Sequence, residues 1–195
     1  MNLLTEAAPK TVSIAGVEVP IRWDFRTSIR FEQLMEEDLP DEEKLTQALA
    51  LYYPQIPFSL EEAVEKLLWF YAAGKEDTAQ TGKTGRSEPR IYSYRYDDEY
   101  IYAAFLDQYG IDLQEADLHW WKFKAMFQGL KSDNRIVEIM GYRAMEIPSK
   151  MSREQKEFYR KMKKQYAIPL PKSEREKLSA IEEALLHGGD VSKLL

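Results

Sequence analysis

The chain has 195 residues, a formal net charge of −6, 44% hydrophobic residues and no cysteine. Without cysteine it forms no disulfide, thiolate metal site or cysteine nucleophile, and its acidic balance argues against general affinity for nucleic acid, which requires a basic face. No window of about 18 apolar residues is present to span a membrane, and the opening MNLLTEAAPK lacks the charged start and apolar run of a signal peptide.

In chain order, Thr11 to Ile14 and Val17 to Ile21 alternate apolar with polar residues around Ala15-Gly16. This pattern predicts a β-hairpin, with Pro20 placing its second strand at an edge. Two strands are marginal alone in water, so the hairpin must pack on helices. Asp24 is positioned to cap a helix carrying Phe25, Ile29, Phe31, Leu34 and Met35. Asp41 opens a second helix with Leu45, Ala48, Leu49 and Tyr52 inward, stopped at Tyr53-Pro54. Ser59 with Glu62 predicts a capping box for a third, carrying Ala63, Val64, Leu67, Leu68 and Tyr71 and ending at Gly74. Lys75 to Arg90 has no apolar residue larger than alanine and is expected to be a flexible linker.

Tyr94 to Leu130 holds two of the four tryptophans and the densest run of aromatics. It reads as two helices joined by a tight turn. The first starts at Asp97 or Asp98, with Ile101, Ala104 and Phe105 on one face and Tyr100 and Tyr102 beside it, and ends in a left-handed cap at Gly110. The second is expected to start at Asp112, with Glu115 three positions on. Leu118, Trp121 and Ala125 form one apolar line, and Trp120, Phe123, Phe127 and Leu130 another, which predicts a helix near the centre of the fold. Asp133 is expected to cap a short helix with Ile136, Val137 and Met140, closed at Gly141. Ser152 with Gln155 starts a helix carrying Phe158, Met162 and Tyr166. Beyond Ile168-Pro169-Leu170-Pro171, Ser173 with Glu176 caps a last helix with Leu178, Ile181 and Leu185, which ends at His187-Gly188-Gly189.

The expected fold is therefore mainly α: a compact domain of about seven helices with a small N-terminal β-hairpin. Residues 1–74 form its first part, 75–92 a flexible linker, 93–171 an aromatic helical core packed on the first part, and 172–195 a C-terminal helix and tail.

No constellation points to catalysis. Gly82-Lys83-Thr84 resembles the end of a phosphate-binding loop, but Asp77 stands where that loop needs glycine, and a helix precedes it instead of a strand. His119 and His187 lack further ligands at recognisable spacing, so both read as structural. Asp97, Asp98 and Glu99 have a sufficient role in offsetting the dipole of a helix start. The expectation is a non-enzyme with no metal and no cofactor. Trp120 and Trp121 lie about 100° apart on a helix. Either both are core, or one anchors a partner. Charge is uneven: Glu32 to Glu43 holds seven acids and no base, whereas Lys150 to Lys177 holds ten bases against four acids. Such a run is a solvated helix face or a patch that steers an acidic partner.

The segments EYIYAAFLDQYGIDL, LHWWKFKAMFQGL, Ile139-Met140-Gly141-Tyr142-Arg143 and Phe158-Tyr159-Arg160-Lys161-Met162-Lys163 resemble a family of small bacteriophage proteins from phages of Gram-positive hosts. The resemblance runs from about Asp24 to about Tyr166. It implies a gene among tail genes, near that of the tape measure protein, and a role as a tail assembly chaperone or minor tail protein in the host cytoplasm. The expected mode of binding is an apolar groove that captures a helix of the tape measure protein or another tail protein. Trp120, Phe123 and Phe127 are expected to form that groove with Tyr100 and Tyr102. Arg160, Lys161 and Lys164 are expected on a steering patch. A homo-oligomer is a further expected association; membrane and nucleic acid are not expected partners.

Overall fold

Two local signals set the start of the fold. Ala15 and Gly16 both take positive φ, 50° and 76°, the combination a tight two-residue hairpin turn needs. Strands β1 (Thr11–Ile14) and β2 (Val17–Pro20) pair antiparallel across that turn, with Thr11 opposite Pro20 and Ile14 opposite Val17. Asp24 Oδ1 then accepts the Arg26 N–H at 2.9 Å and caps the first helix as expected. This is a computed structural model, and it describes residues 2–75 and 90–169. Among these the hairpin is followed by seven helices: α1 (Phe25–Met35), α2 (Asp41–Tyr52), α3 (Leu60–Tyr71), α4 (Asp98–Tyr109), α5 (Trp120–Gln128), α6 (Arg135–Ala144) and α7 (Arg153–Gln165). The mainly α expectation holds. Among the described residues no helix is long and apolar enough to cross a membrane.

Helix α5 lies at the centre. Trp120, Trp121 and Phe123 are each at most 1% exposed. The Phe123 ring is sandwiched between Phe25 of α1 and Phe105 of α4, each centroid 4.8 Å away and nearly parallel. Such stacks add about 0.5–1.5 kcal/mol each, less than the roughly 1.5–3 kcal/mol of burying each side chain. Burial therefore drives the contact and stacking sets its geometry. The two tryptophans bond the end of α3: Trp120 Nε1 donates to the Tyr71 carbonyl at 2.9 Å, and Trp121 Nε1 to that of Phe70 at 2.7 Å. A helix leaves its last carbonyls without helical partners; here the Trp120 indole supplies one for Tyr71, and the Trp121 indole adds a second donor to the Phe70 carbonyl, which also accepts the Ala73 N–H at 3.0 Å.

Three local expectations fail, the first two because a distant partner wins. The second helix of the central pair starts at Trp120, not Asp112. Asp112 Oδ1 instead accepts the Gln114 N–H at 2.8 Å in a turn. The Arg26 guanidinium donates to the carbonyls of Leu113, Gln114 and Ala116 and holds that segment off helical geometry. His119 supplies the true cap: its Nδ1 accepts the Trp121 N–H at 3.0 Å, and its Nε2 meets the Pro9 carbonyl at 2.8 Å. Burial lowers the His119 pKa, consistent with a neutral ring that can accept at Nδ1. Second, Ser59 makes no side-chain bond to the α3 backbone. Glu62 is engaged by the Ala15 N–H at 2.7 Å, which ties the hairpin turn to α3. Third, Asn134 rather than Asp133 precedes α6, which runs through Gly141 to Ala144. The Ser152–Gln155 capping box of α7 is formed.

Gly82-Lys83-Thr84, His187 and the stripe Leu178, Ile181 and Leu185 lie outside the described residues, as do residues 76–89 of the expected linker. At the far end of that segment, Arg90 pairs with Glu36 and its Nε donates to the Tyr92 carbonyl at 3.1 Å.

A Cβ at Gly74 would meet Trp121 Cη2 at 2.8 Å, so the indole is packed against bare backbone. Trp121→Ala should cost about 3–5 kcal/mol, roughly 6–20 °C in melting temperature. Gly74→Ala should also destabilise, because its φ of +67° and the indole both oppose a side chain. A thermal melt by circular dichroism checks both; an unchanged melt for Trp121→Ala would contradict this packing.

Candidate functional site

Helix α1 carries a carboxylate on its inward side. Glu32 stands four positions after buried Ser28 and seven after buried Phe25, so helical spacing directs it toward the core. Opposite it runs the segment 91–97, which brings two tyrosines against α5. That segment is pinned by one buried ion pair. Arg143 Nη1 and Nη2 donate to the two Asp97 oxygens at 2.6 and 2.8 Å. The same guanidinium reaches the Ile91 carbonyl at 3.0 Å and the Tyr166 carbonyl at 2.6 Å. Asp97 Oδ2 also accepts the Ser93 N–H at 2.8 Å. Asp97 therefore does not serve as the helix-start carboxylate expected of it: it makes no side-chain cap bond and is 1% exposed.

Tyr94, held on this frame, separates two clefts. The first, of about 510 Å³, is lined by Ile29 and Gln33 of α1, by Asp98, Glu99, Ile101 and Tyr102 of α4, and by Tyr94, Arg95, Leu113, Gln114 and Phe123. The second, of about 350 Å³, is lined by Glu32, Tyr71, Tyr92, Tyr94, Trp120, Lys124, Phe127, Gln128, Leu130, Val137 and Met140. Both have an aromatic floor and a polar rim, the form of a site that takes an apolar side chain and orients it by a few polar groups.

The second cleft has perturbed charges. Tyr71 donates its hydroxyl to Glu32. Burial raises the Glu32 pKa, against the lowering effects of that hydrogen bond and of the Arg90 charge. Burial lowers the Lys124 pKa. Lys124 Nζ donates to the Tyr71 carbonyl at 3.3 Å and lies 5.4 Å from the Tyr71 ring centroid. Burial also raises the hydroxyl pKa values of Tyr71 and Tyr94. These neutral phenols and half-buried charges can receive a side chain with an apolar body and a polar tip.

The expected groove residues are divided. Trp120, Phe123 and Phe127 are core residues, 1%, 0% and 8% exposed, so they do not form an open groove. Trp120 and Phe127 floor the second cleft and Phe123 the first. Tyr102 lines the first cleft, whereas Tyr100 is exposed beyond it. Arg160, Lys161 and Lys164 are exposed on α7, away from both clefts. Sequence reading missed Glu32, Tyr71, Tyr94 and Lys124. The signal for Glu32 was present in the helical spacing, while Tyr94 depends on a partner for Asp97 that lies 46 residues further on.

A family model described as Bacteriophage Gp15 protein matches residues 4–168. The match extends beyond the Asp24–Tyr166 range of the resemblance and takes in the hairpin. No curated protein and no solved structure matches the chain.

The raised Glu32 pKa fixes the sign of a pH effect. The folded chain holds this proton more tightly than the unfolded chain, whose carboxyl titrates near 4.5. That contribution to stability is full below the unfolded pKa and is lost as pH rises through the folded one. Glu32→Gln keeps an acceptor for Tyr71 and removes the titration. Its melting temperature relative to wild type should therefore climb as pH rises from about 4.5 toward neutrality. Paired melts across that range check the effect; a difference that stays flat or shrinks would contradict it.

Proposed function

The chain belongs to the bacteriophage Gp15 protein family, and we propose that it is a non-catalytic tail assembly chaperone that holds the helical tape measure protein during tail morphogenesis in the host cytoplasm. The carrying observation is the pair of apolar-floored clefts on either side of Tyr94. A helix presents anchors at i, i+3 or i+4 and i+7, about 5–10 Å apart along its axis. The two clefts share Tyr94 as a wall and offer one seat each for two such anchors. The resemblance of the YGIDL, HWWKF and MGYR segments supports the tape measure as the source of that helix. A chaperone leaves before the particle is finished, whereas a minor tail protein, the alternative role, stays.

The test is co-expression with the tape measure protein of the same phage. Wild type should co-purify with it. Ile29→Gln combined with Tyr102→Ala changes two half-buried residues of the first cleft. This variant should keep a cooperative melt and lose about tenfold or more in retained partner, as removal of central anchors does. Mass spectrometry of purified virions should find the protein absent. Failure of wild type to retain the tape measure protein would overturn the reading, and stoichiometric presence in virions would replace the chaperone with a minor tail protein.

A further inference from the structure

Two surfaces away from the clefts lack a partner within the described residues. The first is a groove of about 250 Å³ between the end of α1 and helices α2 and α3. Met35, Leu45 and Leu68 line it and are 39%, 45% and 51% exposed. Its surroundings are acidic. Asp41 lines the groove and stands four positions before Leu45, with exposed Glu42 beside it. Glu61 and Glu65, both exposed, precede Leu68 by seven and three positions, so they lie along the same side of α3, with Lys66 Nζ 3.0 Å from the Glu65 carboxylate. Lys44, a cation in the lining, donates to the Met35 carbonyl at 3.1 Å.

The second surface is α7. None of its 13 residues is buried. It carries six bases, Arg153, Lys156, Arg160, Lys161, Lys163 and Lys164, against Glu154 and Glu157. Phe158 stands 48% exposed among them. The helix touches its own fold through α6, where Tyr142 meets Phe158, Tyr159 and Tyr166.

We propose that these surfaces are the two halves of one interface between copies of this chain: α7 of one protomer seats Phe158 in the α1–α2–α3 groove of the next, with its bases over the acidic rim. The charges are complementary, and the apolar anchor faces an apolar groove. Within one protomer α7 packs on α6, which packs on α4, whereas the groove is formed by α1, α2 and α3. The contact is therefore head to tail. A head-to-tail contact uses different patches on the two subunits and produces a ring or an open array. An array would present the clefts repeatedly along a long partner, but the interface stands without that role.

Sedimentation of the full chain tests it. Wild type should exceed the monomer mass as concentration rises. Association should weaken as salt is raised from about 0.1 M to about 1 M, where the screening length falls from about 10 to about 3 Å. Two variants divide the interface: Leu45→Glu with Leu68→Glu in the groove, and Arg160→Glu, Lys161→Glu with Lys164→Glu on α7. All five positions are exposed, so each variant should keep the wild-type melt and sediment as a monomer. Mixed, the two variants retain one intact groove and one intact helix between them and should form 1:1 dimers that grow no further. A wild type that stays monomeric would overturn the proposal, as would a folded groove variant that associates like wild type. Two folded variants that remain monomers when mixed would overturn it too.

Discussion

The rest of the structure depends on how the end of α3 is closed. Tyr71 is the last residue of α3, and its carbonyl is met by the Trp120 indole and the Lys124 ammonium, both from α5. One residue earlier, Phe70 receives the Trp121 indole. Leaving the Tyr71 carbonyl unpaired would cost about 1–3 kcal/mol, whereas Phe70 also accepts the Ala73 N–H. The two indole bonds hold α3 and α5 in register, and apolar area binds them as well. This joint links the chain before residue 76 to the chain after residue 89. It also places Tyr71 over the Trp120 ring, stacked at 5.6 Å, as one wall of the second cleft.

The Asp97–Arg143 pair performs the matching service on the other wall. Both side chains are nearly sealed from water, at 1% and 8% exposure. Two charges in such a place are a weak source of net stability, because desolvation offsets most of their attraction. What they contribute here is position. The guanidinium ties α6 to residues 91 and 166, and the carboxylate holds residue 93. Tyr92 and Tyr94 are thereby fixed between α1 and α5, and the clefts are defined. The arginine of the MGYR segment thus has a physical role in shaping the two clefts.

Much of this was legible in residue order because it is local. The hairpin follows from alternation and a turn with two positive φ values. Asp24, Ser152 with Gln155, and Gly110 mark helix ends by chemistry that acts within four residues. What was not legible involves long-range partners. Arg26 reaches 87 to 90 residues along the chain to hold the segment before α5 in a loop. Ala15 takes Glu62 across 47 residues. The wide stripe on α5 correctly signalled a central helix, but periodicity does not say what covers the stripe. Trp120, Phe123 and Phe127 are covered by Tyr71, Phe25, Phe105 and Tyr92. Those rings therefore floor the two clefts instead of lining an open groove.

The indole joint and the aromatic stack are expected to make one cooperative body of the residues on either side of 76–89. A specific protease site placed within 76–89 and cleaved to completion tests this most directly. If the joint holds, the two fragments co-elute in native buffer and melt in one transition that all spectroscopic probes report together. Fragments that separate in native buffer, or that melt at two distinct temperatures, would contradict the account.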